Sequence, residues 1–244
     1  MNRIVITGCR QGIGRSIAEK FFLEGWKVTG LDCKEPSEDV LPYLDSFHKV
    51  DVSNLREMES LARAFESQNI RISCLVNNAA VQYGKRLLDT SLEEWDSTIA
   101  VNLSGVFYAV KIFHPFLLGG SIVNISSVHS RATSEGAAAY AASKGGVSAL
   151  TRAAALEFAR DSIRVNAILP GAIDTEMLER SMKRFEDPQK SLELLSKSAP
   201  LKRIGSPRDV AELTFFLANP SLSCNVTGQE FVCDGGVLAR LASE

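Results

Sequence analysis

The sequence predicts an α/β protein, a single domain over residues 1–244 built on a doubly wound parallel sheet of about seven strands, with helices on both faces. Three observations predict it. Short β-branched runs alternate with longer helix-period segments from end to end. Several of the runs, such as Ile72-Ser73-Cys74-Leu75-Val76, are apolar with little alternation, as expected of strands covered on both faces. No internal repeat, low-complexity tract or Pro/Gly/Ser-rich linker breaks the pattern.

The elements follow in chain order. Arg3–Thr7 is a strand that stops at Gly8, and a helix is expected over Gly12–Glu24. Strands at Lys27–Leu31 and Phe47–Val50 precede Asp51-Val52-Ser53-Asn54, whose side chains offer N-cap chemistry to a helix over Asn54–Ser67. The strand Ile72–Asn77 is followed by a helix over Leu92–Phe116, and the strand Ser121–Ser126 by a helix over Ala138–Arg160. The alanines of 137–142 make the start of that last helix small-sided, suited to tight packing within or between subunits. After the strand Ile163–Leu169 the alternation fails. Residues 175–200 are polar, charged and interrupted by Pro188, and they read as one or two loosely held helices forming a lid over a pocket. Gly205-Ser206-Pro207 then opens a helix over Pro207–Ala218, with Pro at its first position, and Glu230–Cys233 is the final strand.

Composition narrows the function classes. The chain is 45% apolar and 23% charged, and its 27 basic and 29 acidic side chains are interspersed, for a net charge of −2. A protein that grips a phosphate backbone would show a basic stripe, so nucleic acid is not an expected partner. The five cysteines form no C-x-x-C pair, which indicates neither a zinc site nor a disulfide framework, and reduced thiols fit a cytoplasmic protein. No metal is expected. No run approaches the ~20 consecutive apolar residues needed to cross a bilayer, so no membrane partner is expected either.

The turn Thr7-Gly8-Cys9-Arg10-Gln11-Gly12-Ile13-Gly14 lies between the first strand and the first helix, where open α/β sheets bind ligands. Gly8 allows the tight turn, Gly12 lets backbone approach a pyrophosphate, and Gly14 lets the helix lie close to the sheet. The helix N-terminus offers free N–H groups and a positive dipole end to phosphates. The spacing departs from G-x-G-x-x-G, and an ordinary Gly-rich βα turn is the alternative. Asp32 falls 18 positions beyond Gly14, just past the second strand, where an acid accepts hydrogen bonds from an adenosine ribose. A carboxylate ~4 Å from a ribose 2′-phosphate would oppose it by about 4 kcal/mol at an effective dielectric of ~20. That favours NAD over NADP, with Arg10 and Lys34 near enough in sequence to offset part of the repulsion.

In Tyr140-Ala141-Ala142-Ser143-Lys144 the spacing of four puts a phenol and an ammonium on one helix face. A phenol titrates near ~10, too high for a base at neutral pH, and both a neighbouring ammonium and an oxidised nicotinamide stabilise the phenolate. Ser127 stands 13 positions upstream, just beyond the strand ending at Ser126, where a hydroxyl could hold a substrate oxygen. A helix cap or a loop hydrogen bond is the alternative for this serine pair.

Taken together, the motifs resemble those of the short-chain dehydrogenase/reductase family over nearly the whole chain. They are Thr7-Gly8-x-x-x-Gly12-Ile13-Gly14, Asp51-Val52, Asn77-Asn78-Ala79-Ala80, Asn102, Ser127, Tyr140-x-x-x-Lys144, Pro170-Gly171 and Asp234-Gly235-Gly236. The resemblance implies a Rossmann-type domain that both binds a dinucleotide and carries the catalysis, exchanging a hydride between a nicotinamide and a secondary alcohol or ketone. It implies that Tyr140 is the general acid/base, that Lys144 lowers its pKa and binds the nicotinamide ribose, that Ser127 positions the substrate oxygen, and that Asn102 supports a proton-relay water. Cofactor contacts are implied at Thr7, Gly8, Gln11, Gly12, Ile13, Gly14 and Asp32, then at Asp51, Val52, Asn78 and Ala79. Tyr140, Lys144, Pro170, Ile173 and Thr175 complete the implied set. Gln11, where many phosphate-preferring relatives carry a basic residue, agrees with Asp32 on NAD. The resemblance also implies a homotetramer.

Two features depart from the family pattern. Ala80 replaces a usual glycine, and His129 and Arg131 stand where small residues are common. A small polar substrate, such as a sugar, polyol or hydroxy acid, would explain His129, Arg131 and Gln82; surface or subunit-contact roles are the alternative. Two rival readings of the whole chain are an NADPH-dependent 3-oxoacyl-carrier-protein reductase and a non-catalytic nucleotide sensor. Asp32 argues against the first, and the complete Asn102, Ser127, Tyr140 and Lys144 set against the second.

Overall fold

The computed structural model describes residues 2–117 and 119–241, and its centre is a seven-stranded sheet. The strands are β1 (Arg3–Thr7), β2 (Lys27–Asp32), β3 (Ser46–Lys49), β4 (Cys74–Asn77), β5 (Ser121–Ile125), β6 (Arg164–Pro170) and β7 (Glu230–Cys233). Their order is β3-β2-β1-β4-β5-β6-β7, and every neighbouring pair is parallel. The order reverses between β1 and β4, which opens a crevice at the carboxyl ends of those strands.

Helices cover both faces, as the apolar strands require. On one side α2 (Leu55–Ser67), α4 (Gly105–Phe113) and α5 (Ala138–Phe158) pack Met58, Phe65, Phe113 and Val147 against Val5, Leu75 and Ile122. On the other, α1 (Gly12–Leu23) lies against α8 (Pro207–Ala218), and Ile17, Phe21, Val210 and Leu217 meet Ile4, Ile6, Val28 and Val123. Phe21, Trp26 and Phe215 meet edge to face between the two helices.

Local chemistry sets the helix starts. Asn54 caps α2 by accepting from the Arg56 and Glu57 amides. Ser91 with Glu94, and Ser206 with Asp209, close capping boxes at α3 (Leu92–Ile99) and α8. The expected helix over Leu92–Phe116 is continuous but not regular. A π-helical stretch, Ala100–Ser104, interrupts it between α3 and α4, and a 3₁₀ turn follows α4. By length and composition this run is apolar enough to cross a membrane; here its Val106, Ala109, Val110 and Phe113 are buried against the sheet. The segment expected as a lid folds into α6 (Glu176–Met182) and α7 (Pro188–Ser198), with Pro188 at the first position of α7 and Met182 the one buried side chain of the two helices. A last short helix, α9 (Pro220–Ser223), follows α8.

Candidate active site

A cavity of about 770 Å³ runs along the carboxyl ends of the strands, from Asp32 past the β1/β4 crevice to Tyr140 and on to α6. The glycine turn forms its floor. Gly8 and Gly12 both have positive φ, +66° and +53°, and a Cβ on Gly8 would stand 2.8 Å from the Ala79 Cα. Gln11 occupies the N-cap of α1 in an extended conformation and makes no side-chain cap, so the first amides of this 12-residue helix remain free toward the cavity. Asp32 stands at one rim, its two oxygens accepting from the backbone amides of Arg10 at 3.2 Å and Lys34 at 3.1 Å. The Arg10 guanidinium is turned to the Gln11 amide oxygen at 3.0 Å.

The residues expected to handle the proton lie at the other end. β5 delivers Ser126 and Ser127 to the cavity, and α5 packs on the sheet so that Lys144 is buried with its Nζ donating to the Ile125 carbonyl at 2.8 Å. That Nζ lies 5.5 Å from the centre of the Tyr140 ring. Burial pushes the Tyr140 phenol up to about 12, with the Ser127 hydroxyl acting in the opposite sense, and burial brings the Lys144 ammonium down to about 8. The two serines divide their work. The Ser126 hydroxyl is committed inward, to the Lys144 carbonyl at 2.9 Å and Ser148 at 3.1 Å. Ser127 caps the turn that follows by accepting from the His129 amide at 3.1 Å, and its side chain borders the cavity beside Tyr140. The capping role expected as the alternative for Ser127 is thus present.

Most of the expected cofactor and substrate residues border this one cavity: Gly8, Gln11, Gly12, Ile13, Asp32, Asp51, Val52, Asn78, Ala79, Gln82, Ser127, His129, Tyr140, Lys144, Pro170, Ile173 and Thr175. Three stand a layer behind it. The Thr7 hydroxyl accepts from the Asn78 and Ala79 amides at 3.0 and 3.1 Å, pinning that loop rather than facing the cavity. At Gly14 a Cβ would overlap the Gly8 carbonyl oxygen, so its role is close packing. Asn102, fully buried in the π-helical stretch, accepts from the Val81 amide at 2.8 Å and donates to the Val81 carbonyl at 2.9 Å and to Ser143 at 3.1 Å; Ser143 in turn donates to the Tyr140 carbonyl at 2.7 Å. The Asn102 amide thus ties the loop after β4 to the backbone of Tyr140. Ser143 was not among the expected residues, since nothing in its spacing separates it from a neutral helix serine. Asn78 borders the cavity, but its amide nitrogen is spent on the Thr7 and Gly8 carbonyls.

His129 and Arg131 part company. The His129 ring stands edge-on to Tyr140 with centroids 5.7 Å apart, its Nδ1 2.8 Å from the Thr133 hydroxyl, and burial holds its pKa below the ordinary range. Arg131 instead makes two bonds to Glu230 on β7, at 2.9 and 2.7 Å, and Arg152 meets the other Glu230 oxygen at 2.8 Å. Its place in an ion-pair cluster accounts for it without a substrate. A second cavity, of about 800 Å³, lies along the β7 edge between Arg131, Arg208 and Leu238, away from Ser127, Tyr140 and Lys144.

The residues fit a dinucleotide: free helix-terminal amides over a glycine turn at the middle, a carboxylate at the rim and a phenol and ammonium at the opposite end. Residues 8–238 match a family model described as "Enoyl-(Acyl carrier protein) reductase". The chain belongs to the short-chain dehydrogenase/reductase family. It is 36% identical to the uncharacterized oxidoreductase YxbG of Bacillus subtilis, over 96% of this chain and 90% of that protein. It is 35% identical to a 3-oxoacyl-[acyl-carrier-protein] reductase, FabG, of Thermotoga maritima, over 96% of both. Among solved structures, the aldohexose dehydrogenase of Thermoplasma acidophilum superposes with a TM-score of 0.92 at 33% identity, covering 99% of this chain and 95% of that one. Levodione reductase superposes with a TM-score of 0.91 at 30% identity, covering 98% of each. The protein is an oxidoreductase of a family that uses nicotinamide cofactors and acts on small molecules.

Proposed function

We propose that the protein is an NAD(H)-dependent dehydrogenase/reductase of small polar secondary alcohols and ketones, with Tyr140 as the proton carrier. The observation that carries this reading is the convergence of Tyr140, Lys144 and Ser127 at one end of a cavity whose other end is ruled by the Asp32 carboxylate. The helix-terminal amides of Gly12 and Ile13 would hold the pyrophosphate, and Asp32 the adenosine ribose. When bound, the nicotinamide supplies the acceptor or donor of the hydride. Ser127 would hold the substrate oxygen while Tyr140 takes or returns its proton. Lys144, mostly protonated at neutral pH, favours the phenolate.

Asp32 supports NAD, because a 2′-phosphate beside it would be repelled. The FabG relatives favour a second reading, NADPH-dependent reduction of carrier-bound oxoacyl chains, with Arg10 available to the phosphate. Residues 175–200 are proposed as a lid on the substrate end. The exposed Trp95, Phe107 and Leu156 on α3, α4 and α5 support assembly as a homotetramer, which light scattering checks; a monomeric mass would exclude it. A reducing, cytoplasmic setting suits the free thiols.

The test is Tyr140→Phe, assayed over sugar, polyol, hydroxy-acid and steroid alcohols with NAD and with NADP. The expected result is a loss of turnover of about 1000-fold with cofactor affinity within about threefold of the parent, and NAD preferred. A rate within a few-fold of the parent would remove Tyr140 from the chemistry, and strong NADPH selectivity would favour the second reading.

A further inference from the structure

The substrate end of the cavity holds a cation that alcohol chemistry does not require. Arg184 follows α6, and its guanidinium sits between the two loops that flank the entrance. A Cβ at Gly84 would lie 3.3 Å from Arg184 Nη1, and one at Gly136 would lie 3.1 Å from it. Glycine at both positions opens the slot that the guanidinium fills. The Phe185 ring lies 4.8 Å from the guanidinium carbon. Among the described residues Arg184 makes no ion pair and no hydrogen bond. Glu179 pairs with Lys183 at 2.9 Å and Glu135 with Arg86 at 3.3 Å, and Asp187 accepts from the Lys190 amide at 2.9 Å; Glu176, which also borders the cavity, and Glu186 form no ion pair with Arg184. Arg184 is also near enough to His129 to oppose its protonation, and His129 stands edge-on to Tyr140. A line from the phenol through a neutral imidazole thus ends on a free guanidinium.

We propose that the substrate is a hydroxy or oxo acid whose carboxylate is held by Arg184 while its carbinol oxygen faces Tyr140. This rests on the dehydrogenase reading and narrows it from polar alcohols in general to acids. One unpaired fork matches a planar monoanion through two parallel N–H···O bonds, whereas a neutral end offers this solvent-exposed guanidinium no charge to pair with. Oxidation leaves the carboxylate untouched. The carbinol C–H gives up its hydrogen and two electrons to the bound nicotinamide, the hydroxyl proton passes to Tyr140, and a carbonyl forms between them.

The test pairs α-, β- and γ-hydroxy acids and sugar acids with their primary amides, using parent enzyme, Arg184→Gln and Arg184→Glu. The acid is expected to exceed its amide in kcat/KM by about 100-fold in the parent. That ratio should fall to within about threefold of unity in Arg184→Gln, chiefly through a higher KM for the acid, and Arg184→Glu should prefer an amino alcohol. Calorimetry of butyrate against butyramide on the NAD-loaded enzyme gives a readout free of turnover: butyrate should bind, and Arg184→Gln should abolish it. Equal use of acid and amide, an unchanged ratio in Arg184→Gln, a sugar phosphate preferred to every acid, or no butyrate binding would overturn the assignment. If only neutral alcohols react, and do so through Tyr140, the carboxylate assignment falls and the dehydrogenase reading stands. If butyrate binds through Arg184 but no Tyr140-dependent turnover exists, the reverse holds.

Discussion

Lys144 carries an ammonium into a fully buried site where its one acceptor among the described residues is the Ile125 carbonyl. Its descent from 10.5 to about 8 amounts to a folding cost of about 3 kcal/mol for the charged form. Because the unfolded chain holds the proton more tightly, this cost is present in full below about pH 8 and vanishes as the pH approaches 10.5. Replacing Lys144 by methionine removes the charge and leaves one carbonyl unpaired, a loss of roughly 1 kcal/mol. Lys144→Met should therefore unfold in urea with about 1–2 kcal/mol more stability than the parent at pH 7, the margin shrinking between pH 8 and 10, while losing activity. Equal stability at pH 7 would mean that the ammonium is better solvated than the structure indicates. Tyr140 and Lys144 were legible as a pair in the sequence because four positions set two side chains on one face of a helix, whereas Ser127 was singled out from Ser126 only by the family resemblance. Arg184 as a carboxylate partner was not legible, since Lys183, Arg184 and Lys190 read in the sequence only as the basic residues of a mixed-sign segment, and Gly84 and Gly136, which flank the guanidinium, are far away in sequence.

At the scale of elements, the β1 turn and α1 work as one unit whose geometry depends on glycine for two different reasons. At Gly14 the constraint is contact: a Cβ would overlap the Gly8 carbonyl oxygen and stand 2.7 Å from Asn78 Nδ2. At Gly25, just after α1, φ is +77° and nothing lies within 4 Å, so the constraint is conformation alone. Gly14→Ala should cost more than about 3 kcal/mol in chemical denaturation and weaken dinucleotide binding, whereas Gly25→Ala should cost about 1 kcal/mol and leave binding intact. Comparable costs at the two sites would contradict this division. Strand positions were legible because a strand buried on both faces must be apolar, and α2 and α8 because their caps are written in Asn54 and Ser206. The interruption of Leu92–Phe116 was not legible. Its apolar periodicity runs through the π-helical stretch unbroken, and what shows there is Asn102 turned onto the Val81 backbone, a partner 21 positions away.

Across the whole molecule, the parallel sheet gathers residues from the ends of six strands into one cavity: Gly8 after β1, Asp32 at the end of β2, Val50 after β3, Asn78 after β4, Ser127 after β5 and Pro170 at the end of β6. A parallel arrangement alone places all of these at one edge, which is why naming the fold class from the sequence came close to naming the site. The same arrangement makes the phenol conditional. Enclosed by protein, Tyr140 is held near 12, too high to act, and the cationic ring of an oxidised nicotinamide is the charge that would bring it into range. The most direct measurement is the tyrosinate absorbance of the parent minus that of Tyr140→Phe, followed against pH with and without saturating NAD. One phenol is expected to titrate near 12 in the free enzyme and to fall below about 9 when NAD is bound. A Tyr140 signal that NAD leaves unmoved would contradict it.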